Sequence, residues 1–409
     1  MARQADLTSD TGFVIRNARW LSAGALLTLL SCFGQTFFIS LFAGEIRAEF
    51  GLSHGEWGGI YSAGTMVSAV VMVWAGVLSD MFRVRALGTM ILFGVAVACL
   101  VMAGNQWFWG LVGSIFLLRF FGQGMATHIA MVAMARWFVA TRGRALAIAT
   151  LGFSFGEALL PVTFVALMPI LGWRVLWVIC AGLAILGIPI LMTLLKQERS
   201  PRHQATDQTA TGIENRHWTR AQALKHPLFW FIVPSILGPS ACSTAFFFHQ
   251  VHLAEIKGWT HLEFVAWFPV FTGVSVLSMV GAGWALDKVG THRLMPLFQL
   301  PVTIGYLIFA WATEPTAVMF GFIFLALTTG ANATIPAAFW AETYGTAHIG
   351  AIKSLATAIM VLGTAIGPGI TGVLIDAGIS LETQFIGFVA YFLVTSLGVA
   401  FGLKKYGRL

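Results

Sequence analysis

The chain has 409 residues, 57% hydrophobic and only 10% charged, with a formal net charge of +7. Soluble domains carry about a quarter charged residues, so this composition, with a mean hydropathy of +0.81, excludes a soluble globular protein. Apolar runs of about 18 residues or more recur along the chain, each long enough to cross a bilayer. Backbone groups in hydrocarbon must satisfy one another, so these runs are expected to be helices. The alternating strands of an outer-membrane barrel, about ten residues each, are not present in the pattern.

The first residues, MARQADLTSDTGFVIRN, are polar and lack a small-residue cleavage site, so no cleavable signal peptide is expected. Twelve spans are predicted, at about 18–43, 57–78, 86–104, 109–134, 144–169, 173–195, 228–252, 264–286, 294–312, 316–341, 351–376 and 383–403. Between the sixth and seventh lies the one long polar segment, 196–227, rich in Thr, Gln and Arg without apolar period. It reads as a hydrophilic, cytoplasmic linker joining an N-terminal bundle (1–195) to a C-terminal bundle (228–409), six helices each.

With both termini and the linker inside, only Arg47, Arg174 and Lys257 of the 24 Lys and Arg fall outside, and Arg119 falls within a span. The positive-inside rule therefore predicts cytoplasmic termini, and the net positive charge reads as an orientation signal, not as a nucleic-acid surface. Trp57, Trp107, Trp109, Trp173, Trp259 and Trp311 fall at predicted outer ends, and Trp20, Trp137, Trp230 and Trp340 at inner ends, as interfacial belts do. Cys32, Cys99, Cys180 and Cys242 lie inside apolar runs without metal-ligand spacing and read as small packing residues.

Two short turns organise the chain. Gly76-Val-Leu-Ser-Asp80-Met-Phe-Arg83-Val-Arg85 joins spans two and three, and Gly283-Trp-Ala-Leu-Asp287-Lys288-Val-Gly290 repeats the pattern half a chain later. Gly152-Phe-Ser-Phe-Gly156 in span five likewise corresponds to Gly363-Thr-Ala-Ile-Gly367-Pro368 in span eleven. Paired small residues let membrane helices approach closely. An all-α membrane protein of twelve transmembrane helices in two six-helix pseudo-repeats has the architecture of a secondary transporter.

These turns, with Arg119-Phe-Phe-Gly122-Gln-Gly124 and the glycine-rich fifth span ending at Pro161, make the sequence resemble the major facilitator superfamily over essentially its whole length. The loop Arg136-Trp-Phe-Val-Ala-Thr-Arg142-Gly143-Arg144 is similar to prokaryotic members of the monocarboxylate-porter branch. The resemblance implies conformational gating by Gly76, Asp80, Arg83, Gly283, Asp287 and Lys288, each acid pairing with a basic residue. Met81 stands where a basic residue commonly follows the acid, leaving Arg83 and Arg85 as cationic partners. The competing reading of both acids is charge compensation at helix ends.

Substrate and coupling residues are sought at depth. Arg119 sits about ten residues from the outer end of span four, where an arginine is costly unless it meets a partner or a wet cavity. It is a substrate-anion ligand, a coupling element or half of a salt bridge. Glu157, in the middle of span five, is either a proton carrier or the counter-charge of Arg119. Gln123 lies one helical turn from Arg119, whereas His128 lies on roughly the opposite side of the helix and reads as a packing residue. His249, in the aromatic end of span seven, titrates near neutral pH if solvated. Gln35 and Asn332 are uncharged polar groups that either touch substrate or bond between helices.

No ring of like charge suggests a channel. No phosphate loop, metal spacing or extramembrane domain suggests an enzyme or a nucleotide-driven pump. No cofactor is called for. The sequence therefore predicts a secondary carrier, able to work as a monomer in a bacterial inner membrane and expected to be proton-coupled; Arg119 favours an anion, and the resemblance to the monocarboxylate-porter branch implies a small monocarboxylate-like one. A neutral planar compound such as riboflavin is the alternative if Glu157 neutralises Arg119.

Overall fold

The computed structural model describes residues 10–138, 141–197, 211–345 and 347–407, and among them there is helix and turn but no strand. Among the described residues ten helices are long and apolar enough to cross a membrane, and a bent pair, counted as one span, adds an eleventh. The bent pair opens with α1 (Asp10–Ser31). The ten are α2 (His54–Ala75), α3 (Val84–Gly104), α4 (Phe108–Trp137), α5 (Arg142–Leu171), α6 (Trp173–Leu194), α7 (Pro227–Phe248), α8 (His261–Val289), α10 (Ala317–Tyr344), α11 (Ile349–Asp376) and α12 (Leu381–Tyr406). In the place of the ninth predicted span stands a shorter helix, α9 (Leu300–Trp311).

The departures from the predicted spans have local causes. Span one is bent by 47° where Gly12–Gly34 gives way to Thr36–Phe50. Span nine begins late because Pro296 removes a backbone donor and Pro301 is tolerated only in the first turn of α9. The irregular approach is held by buried Gln299, whose Nε2 donates to the Ser235 carbonyl and whose Oε1 accepts from Thr395 Oγ1 at 3.2 Å. Span seven stops at Phe248, and a separate short helix, Gln250–Lys257, follows the break at His249.

A few helix starts carry side-chain caps. Thr260 and Glu263 form a reciprocal capping box before α8, and Ser380 accepts from Thr383 N ahead of α12. Part of the polar segment 196–227 is also structured. Thr219 and Gln222 form a capping box on the helix Arg220–Lys225, and Trp218, 3% exposed, donates from Nε1 to the Ile213 carbonyl at 3.1 Å. Ile213, Trp218 and Ala223 join the core built by α7, α10 and α12. A tryptophan and an isoleucine without helical period supply no amphipathic signal, so the sequence reading saw only polarity there.

Contacts divide the chain into two compact units. The first comprises Met1–Ile39, Ala63–Leu160 and Leu167–Thr206; the second comprises Ser40–Ser62, Pro161–Ala166 and Asp207–Leu409. The same pairing recurs in both. In the first, α5 lies on α1: a Cβ at Gly152 would strike the Ala25 carbonyl, and Thr28 Oγ1 donates to the Ala149 carbonyl at 2.5 Å. In the second, α11 lies on α7: a Cβ at Gly363 would stand 2.9 Å from the Leu237 carbonyl oxygen, and one at Gly367 would strike that of Ala241. The glycine pairs identified as repeats therefore perform the same close approach in each unit.

Candidate functional site

The site in the first unit rests on two departures from regular α-helix. After α1, residues Cys32–Gly34 tighten into a 3-10 turn and Gln35 is extended, at φ −86° and ψ 152°. Within α4, residues Leu118–Ala126 are π-helical. The two irregular stretches touch through glycine. A Cβ at Gly34 would stand 2.7 Å from Gln123 N and 2.8 Å from Gly122 Cα, and one at Gly122 would stand 2.7 Å from Gly34 Cα. π segments and broken helices re-aim side chains and free backbone carbonyls, which is why they occur so often where a protein binds something.

Arg119 is carried by that π segment and is 1% exposed. Its Nη1 donates to the Gly34 carbonyl at 3.3 Å and to Thr36 Oγ1 at 3.4 Å. The cation thus sits at the C-terminal end of a helical run, where carbonyls carry partial negative charge. Gln35 adjoins this contact and is half-buried; Gln123, also half-buried, lies one turn beyond Arg119. On the other side of the turn, a Cβ at Gly156 would lie 2.6 Å from Cys32 Sγ, which itself donates to the Phe153 carbonyl at 3.6 Å. Glu157, the next residue, is half-buried and within electrostatic reach of the Cys32 thiol.

The segment Cys32–Thr36 therefore gathers Gln35, Arg119, Gln123 and Glu157 in one unit. Two participants escaped the sequence reading, Gly34 and Thr36. The signal was present as a glycine followed by Gln35 and Thr36 in the middle of an apolar run, a place where hydrocarbon tolerates neither broken backbone nor polar groups without a reason.

The turn between α2 and α3 is met by side chains from α4. Its Gly76 faces His128, whose Nε2 lies 3.3 Å from Ser79 Oγ. Arg136 Nη1 donates to the Ser79 carbonyl at 2.9 Å, so the cation on this backbone comes from α4. Arg83 is exposed at the start of α3, and the Asp80 side chain lies outside the described residues. In the corresponding turn Asp287 and Lys288 are exposed, with Lys288 Nζ 4.0 Å over the Trp284 ring, and Gly290 takes φ +82° to end α8. His128 does pack between elements, as its helical position suggested.

His249 and Asn332 belong to the second unit. His249 is 3% exposed, and its Nε2 lies 3.1 Å from the Pro368 carbonyl oxygen. Asn332 is half-buried on α10, four residues before Pro336.

A sequence model of the Major Facilitator Superfamily matches residues 24–315. The chain is 22% identical over 340 residues to the uncharacterized MFS-type transporter YhjX of Escherichia coli (strain K12), covering 81% of this chain and 82% of that one. It is 29% identical over 199 residues to the probable sulfoacetate transporter SauU of Cupriavidus necator, covering 47% and 45%. Among solved structures, a bacterial homolog of the human lysosomal transporter Spinster, in its inward-facing and occupied conformation, aligns with a TM-score of 0.74 at 14% identity. It covers 94% of this chain and 96% of that one. The nucleoside transporter NupG aligns with a TM-score of 0.70 at 12% identity, covering 95% and 99%; likeness at such identities concerns the fold alone. The family match spans most of the chain and the helical architecture agrees with it. The chain belongs to the Major Facilitator Superfamily, a multi-pass membrane transporter and not an enzyme.

Proposed function

We propose that the chain is a proton-coupled secondary carrier of a small organic anion, monocarboxylate-like in size, working by alternating access in a bacterial inner membrane. The observation that carries this reading is Arg119, buried on a π segment against the broken first span. A guanidinium at that depth costs several kcal/mol unless it is matched, and its planar fork suits a carboxylate or sulfonate. Gln35 and Gln123 offer neutral hydrogen-bonding groups beside it, and Glu157 is the carboxyl that takes and releases the coupling proton. A relative named as a probable sulfoacetate transporter supports the same ligand class.

His249 and Asn332 are assigned coupling and substrate-contact roles within the second unit. Gly76, Asp80 and Arg83, with Gly283, Asp287 and Lys288, form the gating turns, and Arg136 is added to the first of them. The Lys and Arg distribution supports cytoplasmic termini, with 1–195 and 228–409 as the two six-helix bodies joined by 196–227.

The test is a thermal-shift screen of purified protein against short carboxylates, sulfonates and neutral planar compounds including riboflavin. Ligand at a hundred times its Kd stabilises by about 2.7 kcal/mol. Shifts produced by anions alone support the reading. Shifts produced by neutral aromatic compounds and by none of the anions move the assignment to the neutral-substrate carrier.

A further inference from the structure

Within the second unit, the first two turns of α2 lie along the end of α11 with almost no side chain between them. A Cβ at Gly58 would stand 2.6 Å from the Pro368 carbonyl oxygen and 3.0 Å from Gly369 Cα, and one at Gly369 would stand 2.7 Å from Ser62 Oγ. Asp376 closes the seam: its carboxylate accepts from His54 N at 3.1 Å and from Gly55 N at 2.7 Å, occupying the positive end of α2. Beside it, Ser40 Oγ donates to the Phe247 carbonyl and accepts from Gln250 Nε2, both at 2.7 Å.

Three histidines converge on this seam. The His54 ring centroid is 4.0 Å from that of His252 and 6.0 Å from that of His249. The charged groups around them come from every neighbouring element. Glu45 and Arg47 belong to the helix Ala43–Phe50, Glu56 to α2, and Glu255 and Lys257 to the helix Gln250–Lys257, with Asp376 from α11 and Glu382 from α12. Glu255 Oε2 lies 3.8 Å from His252 Nδ1, and Lys257 Nζ pairs with Glu382 at 3.3 Å.

We propose that the His54–His252 pair is a proton-binding site whose loading loosens the seam between α2 and α11. This deepens the proton-coupled reading above by naming where a proton acts on conformation. Two imidazoles at this separation, with the Arg47 charge nearby, disfavour added positive charge while the seam is closed. Burial holds the His252 pKa below its ordinary value, opposed by Glu255 and reinforced by Arg47. With the seam open and the ring solvated, that value returns to about 6.5. The open form therefore binds more protons below about pH 6.5. The closed seam is at full strength above that pH and weakens as pH falls through it toward the depressed value.

The test places a reporter in the seam. Ser62 Oγ is shielded from solvent, and the four native cysteines are buried, so Ser62→Cys in otherwise complete protein gives one responsive thiol. Its alkylation by a membrane-impermeant maleimide is followed in liposomes from pH 7.5 to 5.5 and normalised to a free thiol at each pH. A single proton changes such an equilibrium at most about tenfold per pH unit. The normalised rate is expected to rise about threefold to fivefold between pH 6.5 and 5.5, and to lose that rise when His54→Gln and His252→Gln are combined. His252→Gln alone, tested on material that elutes as a single species, is expected to flatten the same profile. A pH-independent rate in the parent, or an unchanged rise in either variant, overturns the proposal. The assay uses no substrate, so its failure is separate from failure of the anion reading at Arg119.

Discussion

Replacing Gly34 with alanine is the sharpest perturbation of the candidate site that leaves every titratable group in place. The added methyl has backbone on every near side: the Leu118 carbonyl, Gln123 N at 2.7 Å and Gly122 Cα at 2.8 Å. Ordinary carbon contacts begin near 3.5 Å, so the broken turn and the π segment must part by roughly 1 Å. Overpacking of this kind costs about 1–3 kcal/mol, and the upper part of that range applies because no side chain can rotate away. Parting by that distance also carries Arg119 Nη1 beyond bonding range of Gly34 O and Thr36 Oγ1, now at 3.3 and 3.4 Å. Gly34→Ala is therefore expected to lose about 2–3 kcal/mol in denaturant unfolding and to lower uptake because Arg119 is displaced. Gly113→Ala, with nothing within 4 Å of its added methyl, is the control and is expected to stay within about 0.5 kcal/mol. Wild-type stability and uptake in Gly34→Ala would refute the close contact between the two irregular stretches.

Glu157→Gln is expected to abolish proton-driven accumulation while leaving substrate counterflow intact; accumulation at the parent level would make Glu157 a structural residue. Trp218→Ala is expected to cost about 3–5 kcal/mol of local packing and to speed protease cleavage within 211–226 in detergent. Unchanged cleavage would mean that this stretch does not dock on the core of α7, α10 and α12.

Much of the fold was legible because hydrocarbon leaves few options. Long apolar runs gave the spans, and the two glycine pairs, Gly152/Gly156 and Gly363/Gly367, announced equivalent close packing that the structure places on α1 and α7. Span nine was read too long because hydropathy counts Pro296 and Pro301 among apolar neighbours and does not register their missing donors. At the site, Arg119, Gln123, Gln35 and Glu157 stood out as polar groups at depth. The turn that gathers them did not, because a 3-10 break and a π segment depend on which helix packs against which. Arg136 was missed for a related reason. It lies in a basic loop that reads as topology, and its bond to the Ser79 carbonyl appears only when α4 is folded beside that turn. His54 precedes the predicted second span and carried no signal of its own; its pairing with His252 and the capping of α2 by Asp376 join positions far apart in the chain, and no local pattern records them.

The central claim is that Arg119 binds the anion, and uptake by the Arg119→Ala carrier reconstituted in liposomes tests it most directly. Radiolabelled short carboxylates are offered against a fixed inward proton gradient, with folded protein confirmed by elution as a single species. The account predicts loss of carboxylate uptake at least about a hundredfold, the factor expected when a charged hydrogen-bonding partner worth about 3 kcal/mol is removed. Carboxylate transport retained at the parent's affinity would contradict it.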